Sequence, residues 1–122
     1  MIAPVSLRLP KATADKVRAI AALEHRSFAD TVRTLTEEAV KMREFPRVVL
    51  ADGATGRRAV VLGGPDVWEV IEPYLAAGKD YDALRAVYPG LDVEVLRTVI
   101  RYYEAYREEI EARIALNQPA WD

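Results

Sequence analysis

The chain has 122 residues, enough for one ordinary domain or two very small ones, and at 51% hydrophobic and 30% charged it has a soluble globular composition. It has no cysteine, which excludes disulfides, thiolate metal sites and cysteine nucleophiles and fits a cytoplasmic protein. The net charge of −2 is unevenly placed: residues 1–44 carry eight Lys+Arg against six Asp+Glu, residues 45–122 nine against thirteen, so a mildly basic front and an acidic back suggest two different partners. No apolar run reaches the ~18 residues of a membrane span. The start, Met1-Ile2-Ala3-Pro4, lacks a basic region followed by an apolar core, so no secretory signal is expected.

Val5-Ser6-Leu7-Arg8-Leu9-Pro10 alternates with period two. In an extended strand Val5, Leu7 and Leu9 share one face and Ser6 and Arg8 the other. Helical spacing begins after Pro10, with Val17, Ile20, Ala21 and Leu23 as an apolar stripe running to about His25. Ser27 suits an N-cap, with Asp30 in the first turn of a second helix that reaches about Arg43. Phe28, Val32, Leu35, Ala39, Val40 and Met42 are its candidate apolar set, and Phe45-Pro46 ends it. A unit of about 44 residues normally needs a metal, a disulfide or a second chain to be stable. Composition leaves the second chain, so the lone strand is expected to pair with its own copy.

Val48-Val49-Leu50 and Ala59-Val60-Val61-Leu62 flank a Gly-containing polar loop and read as a hairpin. The loop, Asp52-Gly53-Ala54-Thr55-Gly56-Arg57-Arg58, faintly resembles a phosphate-binding loop but lacks the Gly-Lys-Ser/Thr ending. Asp66 can cap a helix through Tyr74 or Leu75 that Pro73 bends or shortens. Asp80 caps a short helix with Leu84 and Val87; Asp92 caps a final helix running to Asn117, with Pro119 after its end. That helix would span roughly 35–40 Å at ~1.5 Å per residue, so its far half is expected to project. The fold class expected is mostly α (α+β): strand and two helices, then a β-hairpin and a three-helix bundle with a long C-terminal helix. The expected domains are 1–45, 46–103 and a projecting segment 104–122. Trp68, Tyr74, Tyr81, Tyr88, Tyr102 and Tyr103 are expected to fill the core.

Residues 4–44 resemble the ribbon-helix-helix family of DNA-binding proteins, in Val5 to Pro10, the stripe from Val17, and Arg26-Ser27 opening the second helix. The resemblance implies an intertwined homodimer whose paired strands enter the major groove. Ser6 and Arg8 fall on its base-reading positions, and arginine can donate two hydrogen bonds to guanine. Ser27 falls where the family grips a phosphate, and Lys11 and Arg26 are further phosphate candidates, with Lys16 and Arg33 either touching the backbone or simply solvated. Pro4 occupies the first groove-facing position and offers no donor. The inter-helix turn, often glycine in the family, reads His25-Arg26, so His25 is expected in a left-handed conformation.

Residues 47 to about 117 resemble a small domain with a homeodomain-like helical bundle, often found in bacterial antitoxins. The matching residues are Asp52 to Arg58, Asp66-Val67-Trp68-Glu69-Val70, Ala77-Gly78-Lys79-Asp80, Tyr88-Pro89-Gly90-Leu91 and Tyr102-Tyr103. Together the halves resemble VapB-like antitoxins. That implies an antitoxin of a type II toxin–antitoxin system, which binds a PIN-type ribonuclease toxin and represses its own operon by binding operator DNA. The tail offers Tyr106, Arg107, Ile110, Arg113 and Ile114 as a toxin-binding set, with Arg107 or Arg113 able to enter an acidic active site. The alternative is a stand-alone regulator with a C-terminal sensing or oligomerisation domain. One histidine and no nucleophile-and-base pair argue against an enzyme, and neither a cofactor, a metal nor a membrane partner is expected.

Overall fold

The computed structural model describes residues 1–118; residues 119–122, with Pro119 and the end of the expected tail, lie outside the described residues. The chain is mostly helical with one small antiparallel sheet. In order it forms α1 (Lys11–Leu23), α2 (Phe28–Glu44), β1 (Val48–Ala51), β2 (Arg58–Val61), α3 (Val67–Ala76), α4 (Tyr81–Val87), α5 (Val93–Ala105) and α6 (Arg107–Leu116). No helix among these is long and apolar enough to cross a membrane. Two compact units emerge, Met1–Glu37 and Glu38–Asp122. The boundary thus falls inside α2 rather than after residue 45. The reason is that Glu38, Lys41 and Phe45 engage Arg57, Glu109 and Tyr102, all of them in the second unit.

In the first unit, residues 1–10 form no regular element within a single chain. The buried positions of α1 are Ala14, Val17 and Ala21, a helical spacing of three and four. Leu23, expected in this stripe, is instead 82% exposed. The turn to α2 is a Schellman motif: Arg26 N–H donates to the Ala21 carbonyl (2.9 Å) and His25 N–H to Ala22 (3.3 Å). It requires a left-handed residue, and His25 supplies it at φ 55°. Ser27 caps α2 by accepting the Asp30 N–H at 3.1 Å.

The second unit holds a continuous core drawn from every element after the middle of α2. It includes Phe45, Val48, Val61, Ile71, Leu84, Leu96, Val99, Tyr102 and Ile110. The hairpin pairs Val48 with Val61 and Ala51 with Arg58. Its tip closes through reciprocal Gly53–Gly56 backbone bonds of 3.0 and 3.1 Å, with Gly56 at φ 101°. At Gly53 the Arg58 guanidinium lies in the space a Cβ would fill, so a larger residue there would push that side chain aside. The loop is therefore a hairpin tip.

Asp66 precedes α3, its N–H donating to the Glu69 carboxylate at 3.3 Å. Its own carboxylate takes Arg58 Nε at 2.8 Å and Trp68 Nε1 at 3.2 Å. Pro73 neither ends nor shortens α3, which runs on to Ala76. Asp80 and Asp92 cap α4 and α5 as the sequence suggests.

The expected single C-terminal helix does not form. Tyr106, at φ −127° and ψ 48°, breaks it into α5 and α6. α6 packs against α3 and does not project. With the break, Ile110 lies in the core, 2% exposed, and burying a side chain of that size is worth roughly 1.5–3 kcal/mol. The unit accordingly contains four helices besides the end of α2, not a three-helix bundle.

Candidate nucleic-acid interface

The residues expected to meet DNA lie in the first unit. Ser6 and Arg8 are exposed on the N-terminal segment. Among the described residues the Arg8 guanidinium makes no ion pair or hydrogen bond, so it is free to donate. The same segment exposes its other face: Val5 is 79% and Leu7 57% exposed. Both line a groove of about 800 Å³ shared with Leu9, Phe28 and Val32. Leaving so much contiguous apolar surface in water is costly, and a groove of this kind within a unit this small is an unfinished core.

The phosphate candidates divide. Ser27 Oγ is engaged by the Asp30 N–H, so the side chain serves the helix, with the start of α2 beside it. Lys11 pairs with Asp15 at 2.9 Å on an exposed surface, an interaction weak enough to exchange for another anion. Arg26 is held by the helix it leads into. Its guanidinium turns back onto α2, donating to Thr34 Oγ1 at 2.7 Å and the Asp30 carbonyl at 3.4 Å, because those acceptors lie within reach of the turn. Arg33 pairs with Asp30 at 2.6 Å.

The residues expected to meet a toxin are placed as follows. Ile110 is buried, and Ile114 and Tyr106 pack against the same core. Tyr106 meets Phe45 edge-to-face with 6.0 Å between centroids. Arg113 donates to the Thr55 carbonyl at 2.8 Å and the Arg57 carbonyl at 2.6 Å, tying α6 to the hairpin tip. Arg107 alone of the five is fully at the surface, its guanidinium 5.4 Å from the Tyr103 ring centre. Tyr106, Ile110, Arg113 and Ile114 thus make contacts within their own unit, and Arg107 is left at the surface.

Two polar clusters escaped sequence reasoning. Arg57 makes a two-pronged pair with Glu38 at 2.5 and 2.8 Å, with Asp52 at 3.3 Å. The hydrogen bonds to Glu38 hold the Arg57 guanidinium even more firmly protonated than usual. The Glu109 carboxylate takes Lys41 Nζ at 2.9 Å on one oxygen and the Tyr102 hydroxyl at 2.6 Å on the other. Lys41 Nζ also sits 4.3 Å above the Tyr106 ring. Burial first, then the bond to Glu109, raises the Tyr102 hydroxyl well above its ordinary pKa. Glu38 and Lys41, one turn apart on α2, carried the only local hint: two charges on a helix face otherwise turned inward.

No family model, curated protein or solved structure matches the chain.

Proposed function

We propose that this chain is a homodimeric operator-binding repressor of the ribbon-helix-helix kind, serving as the antitoxin of a PIN-type ribonuclease. The observation that carries the DNA-binding half is the N-terminal segment: an alternating stretch with no strand partner among the described residues, which as a strand would be apolar on one face and present Ser6 and Arg8 on the other. Pairing with the same segment of a second copy supplies its backbone hydrogen bonds and covers Val5 and Leu7. The two copies then present four side chains to base edges, with the free N–H groups at the starts of the two α2 helices available to phosphates. So few reading side chains make a short site, and useful specificity calls for more than one dimer along the operator.

The alternative, a stand-alone regulator, gains from the folding of α6. With Ile110 in the core, the segment expected to reach a toxin is structural. Toxin binding then falls to another surface of the second unit, or is absent.

The deciding experiment has two arms. Gel-shift of Arg8→Ala on the cognate upstream DNA should abolish sequence-specific binding while sedimentation still reports a dimer; undiminished specific binding would sink the DNA reading. Co-expression with the neighbouring reading frame should copurify a small nuclease; failure to do so, with DNA binding intact, selects the stand-alone regulator.

A further inference from the structure

We infer that the outer edge of β1 pairs with β1 of a second copy, antiparallel about a twofold axis at Leu50, so that two hairpins join into one continuous sheet. The edge lies wholly within the second unit, so the contact stands apart from DNA binding. The sheet has only two strands, and each therefore keeps one edge that the other does not pair. Those two edges are not equivalent. That of β2 is covered by its own chain: Val61 N–H donates to the Pro65 carbonyl at 2.8 Å, and Val60 bridges to Asp66. That of β1 is engaged only at its start, where Val48 N–H donates to the Phe45 carbonyl at 3.0 Å.

Alternation along the strand fixes which backbone groups are left. The Arg47 carbonyl accepts the Leu62 N–H, and Gly53 exchanges bonds with Gly56, so both residues turn towards the β2 side. In an antiparallel ladder successive residues alternate between facing the paired strand and facing away from it. Val49 and Ala51 therefore bond to β2, opposite Val60 and Arg58, while Val48, Leu50 and Asp52 point their backbone groups outward. Among the described residues the Val48 carbonyl, both Leu50 groups and the Asp52 N–H have no hydrogen-bond partner. β1 packs chiefly on β2, which leaves that edge open.

The occupant follows from these groups. Natural edge strands are blunted by charge, proline or a bulge, and Val48-Val49-Leu50-Ala51 has none of the three. So short a strand matches its own copy both in length and in the groups it offers. With the twofold axis at Leu50, the two Leu50 residues exchange N–H to carbonyl bonds, and each Asp52 N–H reaches the partner's Val48 carbonyl: two bonds of each kind, four in all. Val49 then stands opposite the partner's Ala51, an apolar pair with no like charges opposed. Together with the N-terminal pairing proposed above, this contact joins dimer to dimer.

The test is residue-resolved amide hydrogen exchange on the full chain, with sedimentation over a dilution series. At high concentration the Leu50 and Asp52 amides should exchange slowly, as Val49 and Ala51 do, and lose that protection as dilution dissociates the larger species. Asp52→Pro removes an N–H that β2 does not use, at a side chain that is 84% exposed. It should leave Val49 and Ala51 protected, return Leu50 to fast exchange and weaken association by about tenfold or more. Asp52→Ala keeps the N–H and should associate like the parent. The inference is overturned if Leu50 and Asp52 exchange freely at every concentration, if Leu50 stays protected in a monomer, or if Asp52→Pro associates as tightly as Asp52→Ala. Protection of Leu50 that appears only with a co-expressed protein would assign the edge to a foreign strand and overturn the second copy.

Discussion

The Tyr88 hydroxyl donates to the Glu69 carbonyl across 2.9 Å, filling the acceptor that Pro73 leaves vacant in α3. A helix carbonyl normally receives the N–H four residues on, and proline has none. This is how α3 passes through Pro73 without ending. Burial first, then the nearby Glu69 and Glu72 carboxylates, raise the Tyr88 pKa above its ordinary value. Tyr88→Phe should therefore cost about 1 kcal/mol in denaturant unfolding, and much less in a Pro73→Ala background, where an alanine N–H takes the carbonyl. A double-mutant cycle reads the coupling, and additive effects would disprove the link.

The raised tyrosines also set an alkaline limit. A hydroxyl whose folded-state pKa exceeds its unfolded value contributes stability that is complete below the unfolded value, near 10, and is lost as pH climbs from there towards the folded value. Unfolding free energy should be flat across neutral pH in this respect and fall above about pH 10. Tyr102→Phe should flatten that fall, as urea midpoints at a series of alkaline pH values would report.

Glu38 is 9% exposed and depends on Arg57 for its partner. Arg57→Ala strands that carboxylate. Since the Arg57 side chain is itself 40% exposed, the penalty falls short of a fully buried pair, about 1–2 kcal/mol. The companion Glu38→Gln, Arg57→Gln double variant should recover part of the loss, because it leaves no charge unpaired.

Ile110→Ala should destabilise the second unit by about 2–5 kcal/mol, the usual range for emptying such a buried site. Truncation before residue 104 should then unfold that unit rather than trim a dispensable tail. Circular dichroism of the truncated chain decides: retained cooperative melting would return α6 to a projecting role.

Much of this was legible locally. The caps at Ser27, Asp80 and Asp92, the left-handed residue at His25 and the two strands of the hairpin all follow from interactions within a few residues, so local spacing suffices to read them. The aromatic core was legible too, because large apolar side chains have few alternatives to burial: Tyr74 and Tyr102 are both buried. What no local pattern could show is where α6 goes. Ile110 and Ile114 have the same helical spacing whether they face their own core or a partner's groove, and only packing on α3 distinguishes the two. The same holds for Arg113, whose acceptors lie 56 and 58 residues away, and for the Lys41–Glu109 pair, 68 residues apart. The sequence by itself determined the helix starts, the hairpin and the alternating N-terminal stretch, though not the break at Tyr106, because hydrogen-bond caps and side-chain periodicity act at short range. Only the tertiary structure decided which charged and apolar groups on those elements face inward, because burial is a property of the whole chain.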